Sequence, residues 1–331
     1  MTSGIKAMIL AAGGGTRLYP LTFNLAKPMV PVLNRPVMGR IIALLARHGI
    51  TELIANLYHF PDQIASYFGD GARCGVALEY SREREILGTA GGVKHVAGFF
   101  GDQTFIVIGG DDLADFDLTA MAAFHRQRGA LATIAVSEVE HVSQYGIVVA
   151  DDSGRIRSFQ EKPPAHEALS RTANTGVYMF EPAALDYIPP NEFFDFGKQV
   201  FPLLLEKGAP FFAWGAKGYW KDIGNPREYL DANIDALEGK AGISPPGAEI
   251  SPGTWAEGEC TIAAAEIEPP VALGAGCRLA PGCRIGKCVI GPRARVPAGA
   301  AFEACVVWAE TETPAVSARA ATFAPGCVVL A

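Results

Sequence analysis

Over the first 240 residues, short apolar runs alternate with stretches of mixed polarity. Residues 5–10, 53–56, 76–80, 105–108 and 132–136 read as buried strands. Between them, 37–48, 62–68, 89–99 and 118–128 read as helices; in the first, Ile41, Ile42, Leu44 and Leu45 fall at helical spacing. This alternation predicts an α/β fold, a Rossmann-like mixed but mainly parallel sheet with helices on both faces. A hairpin interrupts it, with strands over 147–150 and 156–160 joined by Asp151-Asp-Ser-Gly154. Residues 227–237 read as a closing helix.

After about Lys240 the helical period disappears, and Gly, Pro, Ala and Cys dominate. Ile267, Leu273, Leu279 and Ile285 recur every six residues, and Ile290, Val296 and Phe302 continue the series after a one-residue slip. Such a repeat predicts a short left-handed parallel β-helix, so two domains are expected, 1–240 and 241–331. Cys277 and Cys283 take the same slot in successive hexads, which assigns them to packing rather than to metal binding.

The chain has 331 residues, a formal net charge of −7 and no Lys/Arg-rich block. That argues against nucleic acid or an anionic membrane as partner, and leaves phosphorylated small molecules, which need only a few local cations. The seven cysteines contain no C-x-x-C pair, so neither a zinc knuckle nor a thioredoxin-type site is indicated. No signal-peptide layout and no apolar run of bilayer length occurs, and a cytoplasmic chain with reduced thiols is expected.

Leu10-Ala-Ala12-Gly13-Gly14-Gly15-Thr16-Arg17 leaves the first strand, with Lys27-Pro28 soon after. The glycines let backbone N–H groups approach a ligand, and the two cations suit a triphosphate. A Walker A loop would end in Gly-Lys-Ser/Thr, and a dinucleotide fingerprint would need a glycine where Leu18 stands; both are excluded. The plain alternative is a strand-to-helix turn with an exposed arginine.

Asp111 follows Phe105-Ile-Val-Ile-Gly-Gly at a strand end, where α/β sheets bind ligands, and is a hard donor suited to Mg²⁺. Asp112 reads instead as a helix N-cap, and Asp115 and Asp117 as solvated. Asp222, in Gly218-Tyr-Trp-Lys-Asp-Ile-Gly224, has aromatic and apolar neighbours and needs a partner, either a metal or an arginine. Gly146, Glu161-Lys162 and Asn174-Thr175-Gly176 lie on or near the hairpin. Lys162 can pair with a phosphate and Glu161 can accept from hydroxyls, although taken singly a Glu-Lys pair is most often a surface pair contributing little. Leu87-Gly88-Thr89-Ala90 opens a helix, where Gly88 permits approach of a flat base and Glu83 can accept from base N–H groups.

Taken together and in this order over 5–237, these segments resemble the sugar-1-phosphate nucleotidylyltransferases, and the C-terminal hexads are similar to the tails of many members. One departure is Gly109, where the family commonly has Asn before Gly-Asp; Asp111 is retained. The resemblance makes 1–240 a nucleotidyltransferase catalytic domain. It implies Mg²⁺-dependent transfer of a nucleoside monophosphate from an NTP to a sugar 1-phosphate, releasing pyrophosphate. Arg17, helped by Lys27, would meet the triphosphate and the charge developing at the α-phosphorus. Asp111 and Asp222 would hold Mg²⁺, and Lys162 would neutralise the sugar phosphate. Leu10, Ala12, Gly13, Gly14, Gly15, Thr16, Glu83, Gly88 and Thr89 would line the nucleotide, and Gly146, Glu161, Asn174 and Thr175 the sugar. A homo-oligomer formed through the β-helix is also expected.

A Glu83 carboxylate can accept two donors from guanine, whereas uracil and thymine offer one imide N–H. This favours a mannose-1-phosphate guanylyltransferase, with a UTP- or dTTP-dependent glucose-1-phosphate enzyme as the alternative. Hexapeptide acyltransferases generally use a histidine base, but the last histidine here is His166. A non-catalytic regulatory subunit would typically lack one of Arg17, Lys27, Asp111 and Asp222, and all four are present.

Overall fold

A computed structural model describes every residue except 1, 3, 263 and 331. The chain divides into two compact units. One contains the chain up to Gly14, Ile41–Asp112 and Phe116–Trp220; the other contains Gly15–Arg40, Leu113–Asp115 and the chain from Lys221 onward.

The first unit is built on a nine-stranded mixed sheet: β1 (Lys6–Ala11), β2 (Glu52–Leu57), β3 (Ala77–Arg82), β4 (Phe105–Gly109), β5 (Ala132–Glu138), β6 (Gly146–Ala150), β7 (Ile156–Glu161), β8 (Thr172–Phe180) and β9 (Phe211–Gly215). The order runs β7-β6-β8-β4-β1-β2-β3, and β5 joins β8 to β9. Strand β1 lies parallel between β4 and β2, and β2 pairs parallel with β3. Ala7, Met8 and Ile9 have no exposed surface, as expected of a strand covered on both faces. Strand β8 enters antiparallel to β4 and β5. The hydrophobic pattern assigns no strand to 172–180, and the reason is a register shift between Asn174 and Tyr178, where Gly176 adopts φ +78°.

Two other expectations change. The helix expected over 89–99 is divided at Val96 into Gly88–His95 and Ala97–Phe100. Asp112 caps no helix: it is buried and opens the short strand Asp112–Ala114. The helix Leu118–Gln127 is capped by Asp117, whose carboxylate accepts from the Ala120 N–H at 2.9 Å. The core of this unit is aromatic, with Phe105 stacked on Phe100, and Phe196 on both Phe180 and Phe201.

In the second unit, Gly15–Arg40 contains the 3₁₀ turns Thr16–Leu18 and Lys27–Met29 and the two-residue strands Pro31–Val32 and Arg35–Pro36. The closing helix, Pro226–Leu237, starts one residue before its expected position and is capped by Asn225. Beyond it lie short parallel strands. Thr254 pairs with Val271, Val271 with Cys288, and Val289 with Val306, each pairing joining residues 17 apart. Leu273, Leu279, Ile285, Ile290, Val296 and Phe302 are buried as the six-residue series predicts, and Ile267 packs against their edge. Cys277, Cys283, Cys288 and Cys305 are free thiols with no exposed surface in this same core, so they are packing residues. Among the described residues, no helix is long and apolar enough to cross a membrane.

Candidate functional site

In the first unit a side chain that no motif marks ties the glycine segment to the turn before Leu87. Asn56, at the end of β2 and buried, accepts from the Ala11 N–H at 2.9 Å through Oδ1 and donates from Nδ2 to Glu83 Oε1 at 2.8 Å. One acceptor and one donor role fix which way the amide points. The second Glu83 oxygen accepts from the Leu87 N–H at 3.3 Å. The signal that could have found Asn56 is a polar residue inside the apolar run Leu53-Ile-Ala-Asn-Leu57. His59 is likewise unmarked, yet a Cβ on Gly14 would lie 2.9 Å from its Nε2.

At the Leu87–Thr89 turn, what approaches closely is the protein itself. A Cβ on Gly88 (φ +76°) would lie 2.5 Å from the Phe194 carbonyl oxygen. That oxygen accepts from the Ala90 and Gly91 N–H groups at 2.9 and 3.0 Å. Thr89 Oγ1 donates to Asp195 Oδ2 at 3.0 Å and accepts from the Phe196 N–H at 2.9 Å. The segment 194–196 is thus bound to the Leu87–Thr89 turn, a pairing across more than a hundred residues that local pattern cannot reveal.

The Gly110 N–H donates to Leu10 O at 2.9 Å, bringing the end of β4 beside the glycine segment. Asp111 follows, half-buried. The carboxylate of Asp112 fills the space a side chain at 109 would need: its Oδ2 would lie 2.3 Å from a Cβ on Gly109. Gly109 therefore accompanies an inward-turned Asp112.

On the hairpin, Glu161 Oε2 would lie 2.4 Å from a Cβ on Gly197 and 3.3 Å from one on Gly146. The two glycines make room for this carboxylate. Desolvation there pushes its pKa above the ordinary value; Lys162 and Lys198 oppose the rise and Asp195 adds to it. Lys162, in left-handed backbone at φ +47°, donates its N–H to Tyr145 O at 3.2 Å. Asn174 accepts from the Gly176 N–H at 2.9 Å and donates to the Tyr178 hydroxyl at 2.9 Å. Thr175, buried, donates to Ala135 O at 2.8 Å. Both residues therefore help to shape the irregularity in β8.

The second unit brings together Arg17, Lys27 and Asp222. Arg17 Nη2 and Lys27 Nζ each lie 3.8 Å from one oxygen of Asp222. These separations exceed the roughly 2.7–2.9 Å of charge-assisted hydrogen bonds, so the attraction is that of a compact charge triad. Arg17 is 59% exposed at its side chain, Lys27 only 10%. A Cβ on Gly224 would lie 2.9 Å from both Arg17 Nη1 and Asp222 Oδ2. A side chain there would have to displace the pair. Of the two partners its setting allows, a metal or an arginine, Asp222 has the arginine close by, and a lysine besides.

Among the described residues, no three His, Cys, Asp or Glu side chains form a cluster that could hold a metal ion. Mg²⁺ usually takes only one or two carboxylates and completes its shell with phosphates and water. Asp111 and Asp222, both hard oxygen donors, fit that chemistry; Asp111 and Glu161 lie in the first unit and Asp222 in the second.

A profile of the nucleotidyl transferase family matches residues 6–239. Over 315 residues the chain is 43% identical to the UTP–glucose-1-phosphate uridylyltransferase of Synechocystis sp., covering 89% of this chain and 81% of that protein. It is 32% identical over 313 residues to the mannose-1-phosphate guanylyltransferase of Mycobacterium tuberculosis, covering 90% and 83%. Among solved structures it is similar to a Bacillus anthracis protein provisionally described as a glucose-1-phosphate thymidylyltransferase, with a TM-score of 0.65, 24% identity, and coverage of 70% of this chain and 95% of that one. At that identity the likeness shows a shared fold alone.

Proposed function

Because the chain belongs to the nucleotidyl transferase family, among its sugar-1-phosphate nucleotidyltransferases, we propose that it transfers UMP from UTP to glucose 1-phosphate, giving UDP-glucose and pyrophosphate. The likeness to the Synechocystis uridylyltransferase carries this choice over GTP and mannose 1-phosphate. Glu83 supports it: both its oxygens already accept hydrogen bonds, from Asn56 and Leu87. A carboxylate so engaged does not need two guanine donors to be satisfied.

In this reading a phosphate oxygen of the sugar 1-phosphate attacks the α-phosphorus in line. A new P–O bond forms as the bond to the β-phosphate's bridging oxygen breaks, and pyrophosphate leaves. The nucleophile is already anionic, so catalysis is positioning and charge neutralisation and no general base is required. Arg17 and Lys27 meet the triphosphate, Lys162 the sugar phosphate, and Glu161, Gly146, Asn174 and Thr175 line the sugar. Leu10 to Thr16, Glu83, Gly88 and Thr89 line the nucleotide. Asp111 and Asp222 would hold the Mg²⁺, which when bound neutralises phosphate charge.

The catalytic domain is 1–240, and 241–331 form a left-handed parallel β-helix through which the cytoplasmic chain self-associates. The register supports the coil: Ile267 pairs with Ile285, three six-residue sides further on, and Leu273 with Ile290, three sides less the one-residue slip. The test is pyrophosphate release with Mg²⁺ from UTP, dTTP, GTP and ATP against glucose-, mannose- and N-acetylglucosamine-1-phosphate. UTP with glucose 1-phosphate should be fastest. GTP with mannose 1-phosphate active while UTP is silent would overturn the base and sugar; silence throughout would favour a regulatory subunit.

A further inference from the structure

Leu33 and Asn34 both take left-handed backbone, φ +46° and +60°, at the turn between Pro31–Val32 and Arg35–Pro36. A fully buried leucine in that conformation is costly and persists only where its surroundings fix it. Three anchors do so, all within the second unit. The Leu33 N–H donates to Asn233 Oδ1 on the closing helix at 3.0 Å, and Asn34 Nδ2 donates to Ile290 O at 3.0 Å. Arg35 makes a two-pronged pair with Glu257, Nη1 to Oε2 at 3.0 Å.

Just before the turn, Pro31 O accepts from the Tyr229 hydroxyl at 2.8 Å, and that hydroxyl accepts in turn from Trp308 Nε1–H at 2.8 Å. Tyr229 is fully buried, which pushes its pKa up and keeps the hydroxyl able both to donate and to accept. From Pro31 the chain runs back without a loose joint: the Val37 N–H donates to Val30 O at 3.0 Å and the Val30 N–H to Lys27 O at 3.1 Å.

We propose that Trp308, Tyr229 and the Leu33–Arg35 turn are positioning elements for nucleotidyl transfer: the C-terminal strands clamp 31–35 and thereby set where Lys27 and Arg17 present their charges. This rests on the reading that those two cations meet the triphosphate. The role of the C-terminal strands would then include catalysis as well as assembly, through Glu257, Ile290 and Trp308.

The test uses the full chain. Trp308→Phe keeps a ring and removes the N–H, and Tyr229→Phe removes the hydroxyl. Each should lower kcat about tenfold, the scale of one net hydrogen bond felt in the transition state, with KM for glucose 1-phosphate unchanged. Amide exchange over 16–30 should quicken in both. Should Tyr229→Phe fail to fold, Asn34→Gly, which keeps the backbone conformation and loses the Ile290 contact, takes its place. Wild-type kcat alongside faster exchange, or exchange unchanged in both variants, overturns the proposal. Turnover retained in Arg17→Ala would instead bring down the reading of the site, and exchange would still report whether the clamp holds the segment.

Discussion

Around Asn56, each polar atom meets a single defined partner: the Ala11 N–H on one side, Glu83 on the other, and Leu87 beyond it, at 2.8 to 3.3 Å. Arg17 and Lys27 each stand 3.8 Å from an oxygen of Asp222, a separation at which charge, not hydrogen-bond direction, governs the attraction. A buried amide network can present only one pattern of donors and acceptors, because leaving any member unpaired costs about 1–3 kcal/mol. A charge triad carries no such pattern and works through its field. The first arrangement suits selecting a planar base. The second suits a triphosphate whose charge moves during reaction.

Removing a charge should do the most damage. Arg17→Ala and Asp111→Asn should each lose at least about two orders of magnitude in kcat, the scale for one preorganised charge-stabilising group, measured as pyrophosphate release. Near-wild-type turnover in either would remove the functional half of the comparison. Asn56→Ala should be milder and different in kind. It strands Glu83 and the Ala11 N–H, so the melting temperature should fall by the equivalent of about 1–3 kcal/mol and KM for the nucleotide should rise more than kcat falls. A loss confined to kcat would show that the network does not read the base.

Glu161 sharpens the contrast, because it is a carboxylate raised by desolvation where Asp222 has two cations close by. If it accepts from sugar hydroxyls as the anion, it must be ionised. KM for the sugar phosphate should therefore rise as pH falls through its elevated pKa, above the ordinary glutamate value of about 4.3. In Glu161→Gln that acid limb should vanish. The smallest effect is expected at Glu238, whose pKa is lowered by hydrogen bonds from Lys240 and Lys287. A lowered carboxylate pKa gives stability that is present above the unfolded value and lost as pH falls through the folded one. Lys287→Ala should thus cost no more than about 1 kcal/mol at neutral pH, and less in acid, by thermal denaturation.

The parallel strands and the six-residue series are legible because their residues are buried by local rules: β1 is apolar after Lys6, and Leu273 to Phe302 recur every six residues but for one slip. Strand β8 is not legible, since Asn174-Thr-Gly176 looks like a loop until Thr175 finds the carbonyl of Ala135. Asp112 misleads for a similar reason: it reads as a helix N-cap, but Gly109 leaves room for it to turn inward. Arg17, Lys27 and Asp222 stand out as charged residues in glycine-rich or aromatic settings, and their meeting needed the fold. His59 and Asp195 carry no local mark, and Asn56 only that of a polar residue inside an apolar run, because their partners lie far away in sequence.

Nucleotidyl transfer supported by the charge triad can be followed through the α-phosphorus itself. The most direct test incubates the full chain with Mg²⁺, glucose 1-phosphate and UTP labelled at the α-phosphorus, beside Arg17→Ala. Label should enter UDP-glucose at a rate at least about a hundredfold higher in the wild type. Label that stays in UTP, or that reaches UDP-glucose equally fast in both proteins, would contradict it.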